Sequence, residues 1–365
     1  MNRAAMPDNS PQTLIRDEIR ALSAYHVPDS RGFVKLDAME NPYRLPLDLR
    51  AELGQLAADA SLNRYPDPGA HRLKQQLRAA LDVPAGMDLL LGNGSDELIQ
   101  ILALAVNRPG ATLLGVDPSF VMFRMIATIV GLRYVGVALR PDFSLDLPAL
   151  LAAVQEHRPA LTFIAFPNNP TGNLFDPEAV RVLIGASPGL VVIDEAYHAF
   201  AGKSFLAELH RFPNLLVMRT LSKLGLAGLR LGMLIGRAEW LIELDKLRLP
   251  YNVNVLTQQL AACVLERVDV LEGQAAAIRS ERSKVLAALS VIPDIRAFAT
   301  DANFILFRAP SADTVFGGLK ARGVLIKNLN GSHPALTDCL RVTVGTPEEN
   351  GRFLDALRQS LPQHA

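Results

Sequence analysis

From about Arg50 to Leu249, short apolar runs alternate with segments whose apolar residues recur at helical spacing, and this alternation leaves few architectures open. The pattern predicts helix His71–Leu81, a glycine turn, helix Asp96–Val106, strand Thr112–Val116, helix Phe120–Val130, strand Arg133–Val137 and helix Leu147–His157. It continues with strand Leu161–Phe166, helix Pro177–Ala186, strands Val191–Asp194, Leu215–Leu221 and Leu231–Ile235, and helix Glu239–Leu247. Strands that are apolar throughout are buried on both faces, so the expected fold is α/β, with a mainly parallel sheet flanked by helices on each side.

The pattern changes after Pro250. A helical tract, roughly Val255–Leu289, is predicted to lead out of the sheet into a smaller α/β unit. That unit comprises strand Asn303–Phe307, helix Ala312–Arg322, strands Val324–Lys327 and Leu340–Val344, and helix Pro347–Leu361, joined by the segment near Lys35–Pro46. The chain has 365 residues, 49% of them apolar, more than one core usually holds. The expected division is an N-terminal arm (1–32), a large domain (50–255), and a small domain made from 33–49 and 256–365. Within the arm, Leu14, Ile15, Ile19 and Leu22 would share one face of a short amphipathic helix.

Charge narrows the partners. Thirty-seven basic residues balance thirty-seven acidic ones without an extended run of one sign, which argues against nucleic acid or anionic membrane and for small molecules. Cys263 and Cys339 stand far apart with no Cys-x-x-Cys and no histidine cluster, so neither a disulfide framework nor a metal site is expected. The first residues lack the apolar core of a secretory signal, and no stretch reaches about eighteen uninterrupted apolar residues. The cytoplasm is the expected compartment.

Three strand ends carry chemistry. Ligands of open α/β sheets bind beyond the carboxyl ends of the strands. There this pattern places Asn169, in Phe166-Pro167-Asn168-Asn169-Pro170-Thr171-Gly172, Asp194, ending Val191-Val192-Ile193-Asp194, and Lys223, in Thr220-Leu221-Ser222-Lys223. A lysine at the end of a core strand is desolvated, which favours the neutral amine that forms a Schiff base with a carbonyl. Taken singly, Lys223 would serve as a solvated loop residue, Asp194 as a helix N-cap and Asn169 as a turn former before proline. Gly94-Ser95-Asp96 opens a helix, whose first backbone amides suit a phosphate dianion, and Ser222 and Arg230 would complete the cup.

The combination of Asn168-Asn169-Pro170-Thr171-Gly172, Asp194-Glu195-Ala196-Tyr197 and Ser222-Lys223 with Arg230 resembles the fold-type I pyridoxal-phosphate aminotransferases. With Asn63-Arg64-Tyr65-Pro66, Gly92-Asn93-Gly94-Ser95-Asp96-Glu97 and Leu340-Arg341-Val342-Thr343-Val344-Gly345, it is most similar to the histidinol-phosphate aminotransferases among them. The resemblance implies pyridoxal 5'-phosphate as cofactor and transamination between histidinol phosphate and 2-oxoglutarate, giving glutamate. It also implies a homodimer. Lys223 would anchor the cofactor and carry protons, Asp194 would pair with the ring nitrogen, Tyr197 and Asn169 would hydrogen-bond the ring's phenolic oxygen, and Phe120 would stack on the ring. Tyr65 would reach the phosphate from the neighbouring subunit. For substrate, the resemblance implies Tyr25, Asn41, Asn169 and Arg341, with Lys327 standing where some members have an arginine. An aromatic amino-acid aminotransferase, and a lyase similar to threonine-phosphate decarboxylase, share these motifs as alternatives.

Overall fold

The computed structural model describes residues 9–24 and 27–362. Seven strands form the main sheet in the order Met87–Gly92, Gly232–Arg237, Leu215–Thr220, Leu190–Asp194, Leu161–Ala165, Thr112–Asp117 and Arg133–Ala138. All run the same way except Gly232–Arg237, which is antiparallel to both neighbours. Its reversal follows from its connection. Parallel neighbours need a long crossover, whereas Leu215–Thr220 and Gly232–Arg237 are joined only by the short turns Ser222–Leu226 and Ala227–Leu229.

Alternate residues of the central strands enter two separate apolar clusters, as the period of a strand dictates. Ile164, Ile193, Val217 and Ile235 pack on one face with Leu73 and Leu77, Val180 and Leu183, and Ala261 and Leu271. Phe163, Val192, Leu216 and Leu234 pack on the other with Leu98, Leu102, Phe123, Leu241 and Leu244. Both faces are therefore covered by helices, as the uniformly apolar strands predict. Each such side chain stabilises the fold by about 1.5–3 kcal/mol when fully buried.

A second, antiparallel sheet has the order Lys327–Asn328, Cys339–Thr343, Phe304–Arg308, Arg296–Ala297, and Val34–Lys35 pairs in parallel with Val324–Leu325. The expected strand Val324–Lys327 is thus divided at Ile326 between two sheets, and Lys327 comes to lie directly opposite Arg341. The expected tract Val255–Leu289 is likewise two helices, Val255–Leu265 and Val268–Ser290, separated where Arg267 leaves helical geometry at φ −120°, ψ 43°. No glycine or proline marks this break. Its causes are tertiary: the first helix packs on helices Leu47–Asp59 and His71–Ala80, and Arg267 reaches Asp48 at 3.3 Å. In the arm the expected amphipathic helix is replaced by single turns, Pro11–Leu14 and Asp17–Arg20, with Leu14 and Ile15 exposed. Strand Met87–Gly92 and helix Leu47–Asp59 stand where the pattern predicts no element.

Candidate active site

The carboxyl ends of the parallel strands converge on a cavity open to solvent, with about 560 Å³ of empty space in and before it. Asp194, the last residue of its strand, is buried at the cavity wall, and its Oδ1 accepts the Ala196 N–H at 3.0 Å. That turn, rather than a helix cap, is its local structural role. Burial drives the carboxyl up to about 7, and the charges of Asp96 and Glu195 add to the rise, against the Ala196 N–H and the Lys223 cation. Lys223 stands in the turn after Leu215–Thr220, and its Nζ donates to Ala38 O at 3.1 Å. Burial pulls this amine down to about 8, helped by the positive charge of Arg341. The cation still predominates at pH 7, but the neutral, nucleophilic amine is far more populated than in a solvated lysine.

A chain of polar contacts leads outward from the cavity. Asn169 Nδ2 donates to the Tyr197 hydroxyl at 3.2 Å, while Asn169 Oδ1 accepts from Arg341. Arg341 also donates to Asp37 O at 3.1 Å and lies over the Phe304 ring, 5.2 Å from its centroid. Phe120 borders both this cavity and a wider opening beside it, into which Lys327, Arg341, Ser332 and His333 face. Because Lys327 and Arg341 are cross-strand partners, their side chains leave the sheet on the same side and bring two cations to that opening.

At the other end of the cavity, helix Ser95–Val106 begins, and Ser95, Asp96, Ser222 and Arg230 line the wall. Arg230 lies 3.5 Å from Asp96 Oδ2. Two glycines make this corner. Gly94 has φ +88°, and a Cβ on it would come within 2.6 Å of the Arg230 guanidinium; a Cβ on Gly232 would come within 2.6 Å of the backbone of Gly94 and Ser95. The helix N-terminus, which has no side-chain cap, is thereby brought beside a guanidinium, a cradle suited to a phosphate.

The structure therefore gathers Ser95, Asp96, Phe120, Asn169, Asp194, Tyr197, Ser222, Lys223 and Arg230 around one cavity, and Lys327 and Arg341 around its opening. Two expected residues lie elsewhere. Asn41 spends its amide on Leu224 O at 3.0 Å, Gln274 Oε1 at 2.9 Å and the Tyr43 N–H at 2.9 Å, so it braces the turn after Lys223 instead of lining the cavity. Tyr65 is exposed and stacks on Tyr251, with 4.3 Å between centroids, in a separate surface depression. Tyr25 lies outside the described residues. Sequence reasoning missed Thr220, whose Oγ1 accepts the Ser222 N–H at 3.1 Å, although it shares the motif of Lys223. It also missed His333, which no local pattern signals.

The model of the aminotransferase class I and II family matches residues 31–357. The chain belongs to this family. This aminotransferase is 55% identical to histidinol-phosphate aminotransferase 1 of Ralstonia nicotianae, over 95% of this chain and 94% of that one. It is 53% identical to the histidinol-phosphate aminotransferase of Chromobacterium violaceum, over 95% and 98% of the two chains. Among solved structures, the histidinol-phosphate aminotransferase of Sinorhizobium meliloti in complex with pyridoxal-5'-phosphate superposes with a TM-score of 0.85 at 25% identity, covering 95% of this chain and 97% of that one. The L-threonine-O-3-phosphate decarboxylase of Porphyromonas gingivalis, at 20% identity and a TM-score of 0.76, covering 89% of this chain and 98% of that one, shares the fold. The residues of the aminotransferase cavity fit pyridoxal 5'-phosphate: a weakly basic buried amine, a buried carboxylate and an anion cradle of Ser95, Ser222 and Arg230 line one space.

Proposed function

We propose that this aminotransferase exchanges an amino group between L-histidinol phosphate and 2-oxoglutarate, with pyridoxal 5'-phosphate as cofactor, in histidine biosynthesis. The observation that carries the proposal is full-length identity of 53–55% to relatives named for that activity. The pair of cations at the cavity mouth supports it, because a phosphate dianion asks for more positive charge than a carboxylate does.

The cofactor, when bound, supplies an electron sink for the carbanion left as the substrate carbon loses its proton. The chain's own residues do the rest. Lys223 Nζ anchors the cofactor and takes and returns the proton at the substrate carbon that bears the amine, a task that its lowered basicity suits. Asp194 presents a carboxylate that keeps the ring nitrogen protonated; a cationic partner there restores the charge that burial opposes. Ser95, Ser222 and Arg230 hold the cofactor phosphate. Tyr197 and Asn169 hold the ring's phenolic oxygen, and Phe120 covers a ring face. Arg341 grips the substrate phosphate or the carboxylate of glutamate, and Lys327 adds charge for the phosphate. The proposal includes a cytoplasmic homodimer in which Tyr65 serves the partner's cofactor; its exposure here and its distance from its own chain's cavity support that role.

The test is a side-by-side assay with purified protein. Histidinol phosphate, phenylalanine, tyrosine and threonine phosphate are each offered with 2-oxoglutarate, and glutamate and carbon dioxide are followed separately. Histidinol phosphate giving the highest kcat/KM, without carbon dioxide, is the expected result. A preference for phenylalanine or release of carbon dioxide overturns it.

A further inference from the structure

One residue beyond Asp194 and four residues before Lys223 lies a buried ion pair, joined by an exposed serine, that the chemistry above does not use. Glu195 is fully buried and Arg219 nearly so. Arg219 Nε and its terminal nitrogen reach Glu195 Oε2 at 3.0 and 2.9 Å. Ser204 Oγ donates to the same carboxylate at 2.9–3.0 Å and accepts from Arg219 at 3.0 Å, while the Phe205 N–H donates to Glu195 Oε1 at 2.6 Å. Arg219 also reaches Leu81 O at 3.4 Å, and the Glu195 N–H donates to Met218 O at 2.8 Å. The Arg219–Glu195 pair and the Glu195 N–H to Met218 O bond tie the turn after Asp194 to the strand that delivers Lys223, while Ser204 and the Phe205 N–H brace the carboxylate from the following loop.

We propose that Glu195, Arg219 and Ser204 form a positioning device for the reaction, which locks the Asp194 turn to the Lys223 turn and balances the charge directly behind Asp194. The two functions need different chemistry. Any well-packed pair could lock two turns, and a buried ion pair is often no more stabilising than apolar residues of the same volume. Charge balance needs the pair itself. Without Arg219, the buried anion of Glu195 would stand next to Asp194 and oppose the ionisation of the carboxylate that has to face the ring nitrogen. Without Glu195, Arg219 would be a buried cation beside a site that already holds Lys223, Arg230 and Arg341.

No neighbouring group can replace either partner at this position. His198 packs against the pair with Nδ1 3.1 Å from Glu195 O, but burial and then Arg219 drive its pKa to about 3, so it stays neutral. Asp82, Glu272 and Arg279 border the space beside Ser204 and Arg219. Arg279 donates to Ala199 O at 2.6 Å, away from the carboxylate. Across the cavity Asp194 senses Asp96 and Lys223, and Lys223 senses Arg341, Glu40, Asp96 and Arg230.

The inference rests on Lys223 and Asp194 being the cofactor residues. Its test is the pH midpoint of the visible absorbance change of the cofactor-loaded enzyme, measured in Glu195→Gln, Arg219→Gln and the double variant, beside melting temperature. Glu195→Gln leaves a cation unpaired and shifts the midpoint down by about one pH unit; Arg219→Gln leaves an anion and shifts it up by about as much. The double variant returns toward wild type, although it melts lower. Shifts of the same sign in both single variants, or no shift in either, overturn the proposal and leave only a packing role. If Arg219→Gln does not fold, Glu195→Gln against the double variant still decides the sign. A wild-type protein without a visible band would instead overturn the cofactor assignment itself.

Discussion

Burial moves the Asp194 carboxyl and the Lys223 amine toward neutrality from opposite directions, to about 7 and about 8. This has a consequence for the cofactor-free protein. Between about pH 4 and 7 folded Asp194 holds a proton that the unfolded chain has released, so its contribution to stability is full below about 4 and is lost as pH rises through 7. The loss amounts to at most about 4 kcal/mol. Asp194→Asn should therefore melt above wild type in cofactor-free protein at pH 8, while losing most of its turnover; equal melting curves across pH 4–8 would contradict the shift. At the cavity mouth, Lys327→Ala should weaken histidinol phosphate more than glutamate, by about 1–2 kcal/mol, whereas Arg341→Ala impairs both half-reactions. Single-turnover kinetics of each half-reaction measure this, and equal losses on Lys327→Ala would remove its phosphate-selective role. Asp194 and Lys223 were legible because each stands at the end of an apolar run in a short motif, and Lys327 and Arg341 through the family resemblance. His333 was not, since only the fold of a loop brings it to the opening.

Among the elements, the strand Gly232–Arg237 and the start of helix Ser95–Val106 meet at backbone contact distance. Gly232→Ala drives a Cβ into backbone that cannot swing aside, so it should cost about 1–3 kcal/mol in urea unfolding and raise the dissociation constant of pyridoxal phosphate at least several-fold. Lost stability with unchanged cofactor affinity would mean that this corner is not the phosphate cradle. Elements with strong periods, such as Leu147–His157 and Pro177–Ala186, fall at their expected bounds. The failures have physical causes. Met87–Gly92 lies among the glycines Gly86, Gly92 and Gly94 and carries Asp88 inside its apolar run, which disguises it as part of a turn, and the break at Arg267 is imposed by the helices on which Val255–Leu265 packs, not by a local breaker. The split of Val324–Lys327 depends on which strand lies beside each half, a fact of pairing that a single segment does not carry.

At the scale of the molecule, the chain leaves Tyr65 and Tyr251 stacked on the outside, far in sequence from the groups that line the cavity. If Tyr65 is essential and serves the partner, mixing Lys223→Ala with Tyr65→Ala subunits should restore up to about a quarter of wild-type activity, since after random exchange about half the dimers are hybrids with one intact site. No recovery after verified exchange would count against a shared site. The single reversed strand in the large sheet bears on how such a protein can change over time. Lys223 and Arg230 stand on the one hairpin connection of the sheet, both ends of which return to the same rim. That connection acts as a ruler between the atom that bonds the cofactor and the group that grips its far end. Added or deleted residues there would alter the spacing of both grips at once, whereas loops at the opposite rim are free to lengthen without disturbing either.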